Sequence, residues 1–142
     1  MTHYTRKKAP DQRFSLHDAR IIAMERRGDD LFLKTDYGYA DVEKNDGVNG
    51  DLLITDVSFD DSYVYMVNFD RGVENIGRFS GEKMTLEGFL PRFEENAAIE
   101  VYSEYDGFCA YYVKGFYCLG EEFSEITLDF YFTGSVEYVV YE

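Results

Sequence analysis

Apolar and polar residues alternate with a period of two along most of the chain from residue 19 onward. Successive side chains of a β-strand point to opposite faces of its sheet, so this period predicts strands that have one buried face. The clearest alternation lies in residues 124–132, where the predicted inward set is Ile126, Leu128, Phe130 and Phe132 and the outward set is Glu125, Thr127, Asp129 and Tyr131. No segment longer than ten residues shows the 3.6-residue period that is typical of a helix.

Residues that favour turns separate these segments at intervals of 8–14 residues, as at 60–61, 70–72, 80–82 and 106–107. The pattern predicts about nine or ten short strands and at most one or two short helical segments, one of them within 90–97. Such spacing is typical of an all-β protein, either an antiparallel β-sandwich or a small β-barrel. The predicted core includes Ile21, Leu33, Leu53, Val67, Val101, Val113, Ile126, Leu128, Phe130 and Val139.

The 142 residues have the length of a single domain, which we predict to span 1–142. Residues 1–13 are predicted to be a polar, partly flexible N-terminal arm, and residues 36–51 a long loop with a hairpin tip at 45–47. Residues 108–119 are apolar at both odd and even positions, which indicates a central strand that is covered on both faces.

The formal net charge is -14, and its distribution along the chain is uneven. Residues 1–34 carry a net charge of +3, whereas the remaining 108 residues carry -17. An acidic surface repels phosphate backbones and anionic lipids, so the sequence argues against nucleic-acid and membrane partners. The same surface favours association with a basic protein.

The two cysteines, Cys109 and Cys118, lack the spacing of a zinc site and are expected to be free thiols in a reducing compartment. No apolar run approaches the roughly 20 residues that span a bilayer. The basic N-terminus is not followed by the apolar segment of a signal peptide. These features predict a cytoplasmic protein.

Sequence motifs for catalysis or metal binding are weak. His17 beside Asp18 has the residue types of a general base or a metal ligand, but a turn fixed by Ser15 and Asp18 explains the same residues. The acidic loop departs from a calcium loop, because Asp46 stands where a glycine is required and Leu52 where an acid is required. The sequence therefore predicts a protein that is not an enzyme and has no metal or cofactor.

Aromatic residues are abundant, with 13 tyrosines and 12 phenylalanines. High β-propensity explains many of them, whereas outward tyrosines also serve as anchors for protein partners, and inward ones line ligand pockets. The candidate binding residues combine such tyrosines with neighbouring acids and the histidine turn: Tyr102, Glu104, Tyr131, Asp129, Glu125, His17 and Asp18.

The stretch Phe14-Ser15-Leu16-His17-Asp18-Ala19-Arg20-Ile21, followed by a predicted hairpin up to residue 35, resembles the start of small acidic β-rich bacterial proteins of the toxin-immunity type. The resemblance implies a cytoplasmic inhibitor that binds a basic toxin domain through an acidic surface. It carries over no catalytic residue, since inhibitors of that kind need none.

Two functional hypotheses therefore stand beside each other. The first is a non-enzymatic protein-binding module of the immunity or inhibitor type, monomeric or homodimeric, whose acidic, tyrosine-bearing surface binds a basic protein. The alternative is a small-molecule-binding β-barrel with an aromatic-lined interior.

Overall fold

The computed structural model describes residues 1–69 and 77–142. It is 61% strand and 5% helical, which confirms the prediction of an antiparallel all-β fold. The short helix α1 (Leu86–Phe89) is capped at its N-terminus by Thr85, whose side-chain oxygen accepts a hydrogen bond from the N–H of Gly88, and a 3-10 helix (Leu90–Arg92) follows. The strands are β1 (Thr2–Thr5), β2 (Phe14–Ser15), β3 (Arg20–Arg27), β4 (Asp30–Thr35), β5 (Tyr39–Asp41), β6 (Asp46–Val48), β7 (Gly50–Ile54), β8 (Tyr63–Phe69), β9 (Phe79–Thr85), β10 (Ala98–Gly107), β11 (Ala110–Leu119), β12 (Glu122–Tyr131) and β13 (Val136–Val140).

Ten of these strands form one antiparallel sheet in the order β1-β13-β7-β4-β3-β10-β11-β12-β8-β9. The strands β2, β5 and β6 form a separate three-stranded sheet. Across the described residues the large sheet does not close into a barrel, and the architecture is consistent with a sandwich. The aromatic-lined barrel of the alternative hypothesis would need that closure.

The large sheet has two halves, one formed by β1, β13, β7, β4 and β3 and the other by β10, β11, β12, β8 and β9. The halves meet at a short seam between β3 and β10. These strands pair over only two residues each, Ile21 with Ile99 and Arg20 with Glu100. A β-bulge follows in both strands, at Ile22 in β3 and at Tyr102 in β10. Bulges bend a strand and disrupt the ladder locally, and the pairing across this seam is confined to those two residue pairs.

The buried core takes side chains from both halves and matches most of the sequence-based prediction. Eight of the ten predicted core residues are buried. Leu53 and Val67 were predicted wrongly, because their neighbours Leu52 and Met66 occupy the inward positions of β7 and β8 instead. In both strands apolar residues occupy odd and even positions alike, so alternation alone does not identify which residues point inward.

Two predicted turns lie elsewhere in the structure. Asp106 and Gly107 are paired within β10, and the hairpin turns at Phe108 and Cys109, which has a positive φ of 49°. Residues 80–82 lie inside β9, where Gly81 pairs with Val67. The predicted turn at 70–72 lies outside the described residues, and the helical turn expected within 90–97 is present as the 3-10 helix.

The two segments that the sequence marks as polar also form strands. Within the expected arm, β1 pairs with β13 along Thr2–Thr5 and forms an edge of the large sheet. Within the expected loop 36–51, β5 and β6 form a hairpin whose turn spans 42–45, so the tip predicted at 45–47 is wrong, because residues 46 and 47 are paired in β6. Asn45 closes that turn with a φ of 53°, one residue before β6 begins.

Candidate protein-binding face

The candidate site lies on the outer face of β10, β11 and β12, on the side of the sheet away from the core. Three side chains form a row across these strands, because Glu100 is opposite Phe116 and Phe116 is opposite Glu125. Directly opposed side chains in an antiparallel sheet have Cβ atoms about 4.5–5.5 Å apart. A phenylalanine ring therefore stands between two glutamates.

Three aromatic rings run diagonally through this row. The ring centroid of Phe116 lies 5.5 Å from that of Tyr102 and 5.9 Å from that of Phe123. The three side chains remain exposed to solvent, Phe116 to 37%. Exposed apolar surface of this kind, bordered by polar groups, is typical of protein interaction sites. We refer to Glu100, Tyr102, Phe116, Phe123 and Glu125 as the aromatic-acidic face.

A hydrogen bond connects the rings to the acids on this face. The Tyr102 hydroxyl donates to Oε1 of Glu125 at 3.2 Å. Partial burial and this hydrogen bond raise the pKa of the Tyr102 hydroxyl above its ordinary value. The carboxylate of Glu125 is thus held next to the aromatic rings, in an orientation set by the tyrosine.

Two further predicted binding residues, Asp129 and Tyr131, lie on the same face toward the other end of β12. Asp129 is opposite Tyr112, and Tyr131 follows at the next outward position. Burial raises the pKa of the Asp129 carboxyl, and the positive charge of Lys83 opposes part of that shift. The structure therefore brings four of the predicted residues, Tyr102, Glu125, Asp129 and Tyr131, to one face.

More acids border the aromatic-acidic face at the start of β12. Glu100, Glu121 and Glu122 line a shallow recess of about 360 Å³ together with Phe116 and Phe123. Among residues 1–69 and 77–142, none of these three glutamates, nor Glu125, belongs to an ion pair. The carboxylates here are available to positive groups from outside the molecule.

Glu104 was predicted to share the surface of Tyr102, and the structure corrects this prediction. The bulge at Tyr102 places one extra residue in β10, so that Val101 pairs with Gly115 and Ser103 pairs with Lys114. The alternation of inward and outward positions is therefore reversed beyond residue 102. Glu104 points inward, and its side chain is only 9% exposed.

The inward Glu104 belongs to a buried polar network. Its Oε2 accepts hydrogen bonds from the hydroxyls of Tyr111 and Tyr138, the latter at 3.0 Å, and lies 3.3 Å from Nη1 of Arg6. Arg6 also donates two hydrogen bonds to Asp106, at 3.0 and 3.1 Å, and one to the Tyr138 hydroxyl at 2.6 Å. We refer to these five residues as the Arg6 network.

Mutual compensation of charge is visible in the pKa values of the Arg6 network. Burial alone would lower the pKa of Arg6, but its hydrogen bond to Asp106 and the nearby Glu104 raise it above the ordinary value. Burial and the charge of Glu104 also raise the pKa of the Tyr111 and Tyr138 hydroxyls. The guanidinium is thus charged and both phenols are neutral at physiological pH, which suits a structural role.

His17 and Asp18 lie in an exposed turn before β3. His17 Nδ1 lies 3.1 Å from Oδ2 of Asp18, and its side chain is 62% exposed. The N–H of His17 donates to Ser15 Oγ, and that of Asp18 donates to the carbonyl of Val101. The turn therefore contacts β10 at Val101, the residue before Tyr102. The described residues contain no group of three side chains suited to hold a metal ion.

A second cavity, of about 380 Å³, opens between β1 and the small sheet. It is lined by polar and aromatic side chains that include Arg6, Arg13 and Tyr138. Both arginines are already paired, Arg6 with Asp106 and Arg13 with Asp41. The cavity therefore presents no uncommitted guanidinium to a ligand.

The sequence-based site omitted Glu100, Phe116 and Phe123. The signal for Phe116 was present, since residues 108–119 are apolar on both faces. That pattern predicts a strand with a cover on each side, whereas in the structure no described strand or helix covers the outer face of β11 at Phe116. Gly115, which pairs at the bulge, was the available signal for the reversal that buries Glu104.

Among residues 1–69 and 77–142, no helix is long and apolar enough to cross a membrane. Comparison of the chain with family models, with curated proteins and with solved structures finds no match.

Proposed function

We propose that this protein is a non-enzymatic binding module of the immunity or inhibitor type, and that its aromatic-acidic face binds a basic protein. The observation that carries the proposal is the row Glu100, Phe116 and Glu125, in which an exposed ring lies between carboxylates free of ion pairs within the described chain. Aromatic rings supply buried contact area in interfaces, and acids steer a basic partner toward them.

The negative charge of this face favours a basic protein over a second copy of the chain as its partner. A second copy of the chain would bring the same acids and a net charge of -14, and like charges facing each other across an interface cost several kcal/mol. A basic protein would instead place cations opposite Glu100, Glu121, Glu122 and Glu125. The two free cysteines are compatible with the cytoplasmic location that we propose for the complex.

The test is retention of a basic partner from a bacterial lysate on the immobilised protein, at low salt and at about 0.15 M salt. Bound proteins are identified by mass spectrometry and then measured in purified form by calorimetry. We expect a partner of basic sequence whose affinity falls as salt increases, because screening weakens exposed charge pairs.

The double variant Tyr102→Ser/Phe116→Ser should abolish retention. The matched control is Phe108→Ser, which removes a 90% exposed ring at the opposite end of the β10–β11 hairpin. Retention that survives the double variant, or a partner without excess positive charge, would contradict the proposal. Circular dichroism of both variants checks that they fold.

A further inference from the structure

We infer that Phe116 is the docking position of an arginine side chain of the partner, with the guanidinium stacked on the exposed ring and bonded to the carboxylates of Glu100 and Glu125. This inference rests on the proposed function and names the residue type that the face recognises. The geometry around Phe116 and two arrangements of an arginine over a phenylalanine ring elsewhere in the same molecule support it.

In both arrangements an arginine at the end of β3 lies over a phenylalanine ring, and the first arrangement is on the outer face of the sheet. The guanidinium of Arg27 lies 4.0 Å from the ring centroid of Phe32, and Arg27 also pairs with Glu25 at 3.3 Å. A ring, a guanidinium and a glutamate thus occur together. Cations within about 6 Å of a ring centroid are attracted by the negative face of the ring.

The second arrangement combines the same three residue types on the opposite face of β3, with the core residue Phe59 and with Glu87 of α1. The guanidinium of Arg26 lies 3.9 Å from the ring centroid of Phe59 and pairs with Glu87 at 3.7 Å. Phe116 has the ring and the glutamates of this arrangement, but within the described residues no cation lies over its ring. The missing component is the guanidinium.

Within residues 1–69 and 77–142, two cations lie on or beside the strand positions of Glu100 and Phe116. Arg20, which is opposite Glu100 on β3, donates to Asp36 at 3.0 Å. Lys114 lies two residues before Phe116 in β11 and is opposite Thr127. No cation of the described residues therefore lies over the exposed Phe116 ring, which a guanidinium of a partner can reach.

Arginine suits this position better than lysine. Its planar guanidinium stacks on an aromatic ring and presents several N–H groups in the plane of the fork, so it can bond to carboxylates on either side while it lies flat. An ammonium group can lie over a ring, as that of Lys83 lies 4.3 Å from the Tyr63 ring centroid, but it is compact and lacks the planar fork that bonds to carboxylates on two sides. The face should therefore discriminate between two partners of equal positive charge.

The experiment compares two labelled peptides of equal length, one with arginine and one with lysine alternating with glycine. Fluorescence anisotropy gives both affinities for the full chain at low salt. We expect the arginine peptide to bind about tenfold more tightly. In NMR spectra, the amide shifts caused by the arginine peptide should centre on Glu100, Phe116 and Glu125.

The variant Phe116→Leu keeps the apolar bulk and removes the aromatic face. It should lower the affinity for the arginine peptide about tenfold and change that for the lysine peptide less than about threefold. Phe108→Leu is the matched control and should change neither affinity.

The outcomes separate this inference from the proposed function. Equal binding of both peptides, or amide shifts centred away from Phe116, overturns the inference that Phe116 binds an arginine. Either result leaves the proposal of a basic protein partner intact. Failure of both peptides to bind at low salt overturns both proposals. A preference for arginine that Phe116→Leu abolishes supports both.

Discussion

Glu104 and Glu125 each accept a hydrogen bond from a tyrosine, yet they belong to opposite kinds of surroundings. Glu104 is buried with Arg6, Tyr111 and Tyr138, and its charge is compensated inside the molecule. Glu125 is on the outer face with Tyr102, and no cation of the described residues pairs with it. The same two residue types build a structural network in one region and a binding surface in the other.

The difference shows what distinguishes a stabilising polar cluster from a recognition surface. In the Arg6 network, donors and acceptors are matched, and no buried side-chain nitrogen or oxygen of the described residues lacks a hydrogen-bond partner. On the aromatic-acidic face, the carboxylates can still accept hydrogen bonds from a partner, and the exposed rings can still pack against one. Removal of a side chain should therefore reduce stability in the first region and affinity in the second.

The largest effect is expected for Arg6→Ala. This change leaves Glu104 and Asp106 as uncompensated acids near the core, which typically costs about 3–5 kcal/mol of unfolding free energy. Urea denaturation measures the loss. Arg20→Ala removes an exposed pair with Asp36 and should cost at most about 1 kcal/mol. A similar small loss for both variants would contradict the structural role of the Arg6 network.

The second prediction concerns Gly115, which pairs at the bulge that separates the two regions. A Cβ at this position would lie 2.2 Å from the carbonyl oxygen of Glu100, so Gly115→Ala must displace the backbone of β10. Overpacking of this kind typically costs about 1–3 kcal/mol. Gly47→Ala, whose Cβ would come no closer than 4.0 Å to a neighbour, is the control and should be nearly neutral in the same denaturation assay.

The third prediction compares two hydroxyl deletions. Tyr138→Phe removes a buried group that bonds to both Arg6 and Glu104, and should cost about 1–3 kcal/mol. Tyr102→Phe removes an exposed hydroxyl and should change stability by no more than about 0.5 kcal/mol. Thermal unfolding of both variants checks the order, and equal losses would remove the distinction between the two regions.

The smallest effect is a pH dependence from Arg13 and Asp41, which connect the residue before β2 to the end of β5 in the small sheet. The hydrogen bond from Arg13 lowers the pKa of the Asp41 carboxyl below its ordinary value. The unfolded chain therefore binds more protons in this range, and the contribution is present above a pH of about 3.9 and lost as pH falls through the folded pKa.

The measurement for this pair is the urea midpoint as a function of pH. Asp41→Asn should flatten the acidic part of the curve relative to the unmodified protein. The more exposed neighbour Glu43 serves as the control, and Glu43→Gln should leave that part of the curve nearly unchanged. An unchanged curve for Asp41→Asn would contradict the assigned role of the Arg13 pair.

Alternation along the sequence was sufficient where a strand is regular and has one polar face. The inward residues Ile126, Leu128 and Phe130 of β12 were predicted correctly, as were its outward acids. Strand β10 was predicted correctly only as far as Val101. Beyond that residue the bulge reverses the faces, and a reversal depends on pairing with β11, which periodicity within one strand does not encode.

The Arg6 network was inaccessible to sequence reasoning for a related reason. Arg6 stands in a polar stretch that resembles a solvated arm, and its partners Asp106 in β10 and Tyr138 in β13 are 100 and 132 residues away. Only the antiparallel pairing of β1 with β13 brings the arginine to Glu104. A local pattern identifies a charged residue as polar, whereas its burial follows from contacts between distant strands.

The bulge at Tyr102 also affects how sequences related to this chain should be aligned. A deletion of one residue in β10 would restore regular alternation and turn Glu104 and Asp106 toward solvent, away from Arg6. A homologue with such a gap would need an uncharged residue at position 6, even if every other position were identical. Insertions and deletions in this strand therefore have larger structural consequences than substitutions, and alignments should treat residues 98–101 and 103–107 as separate blocks.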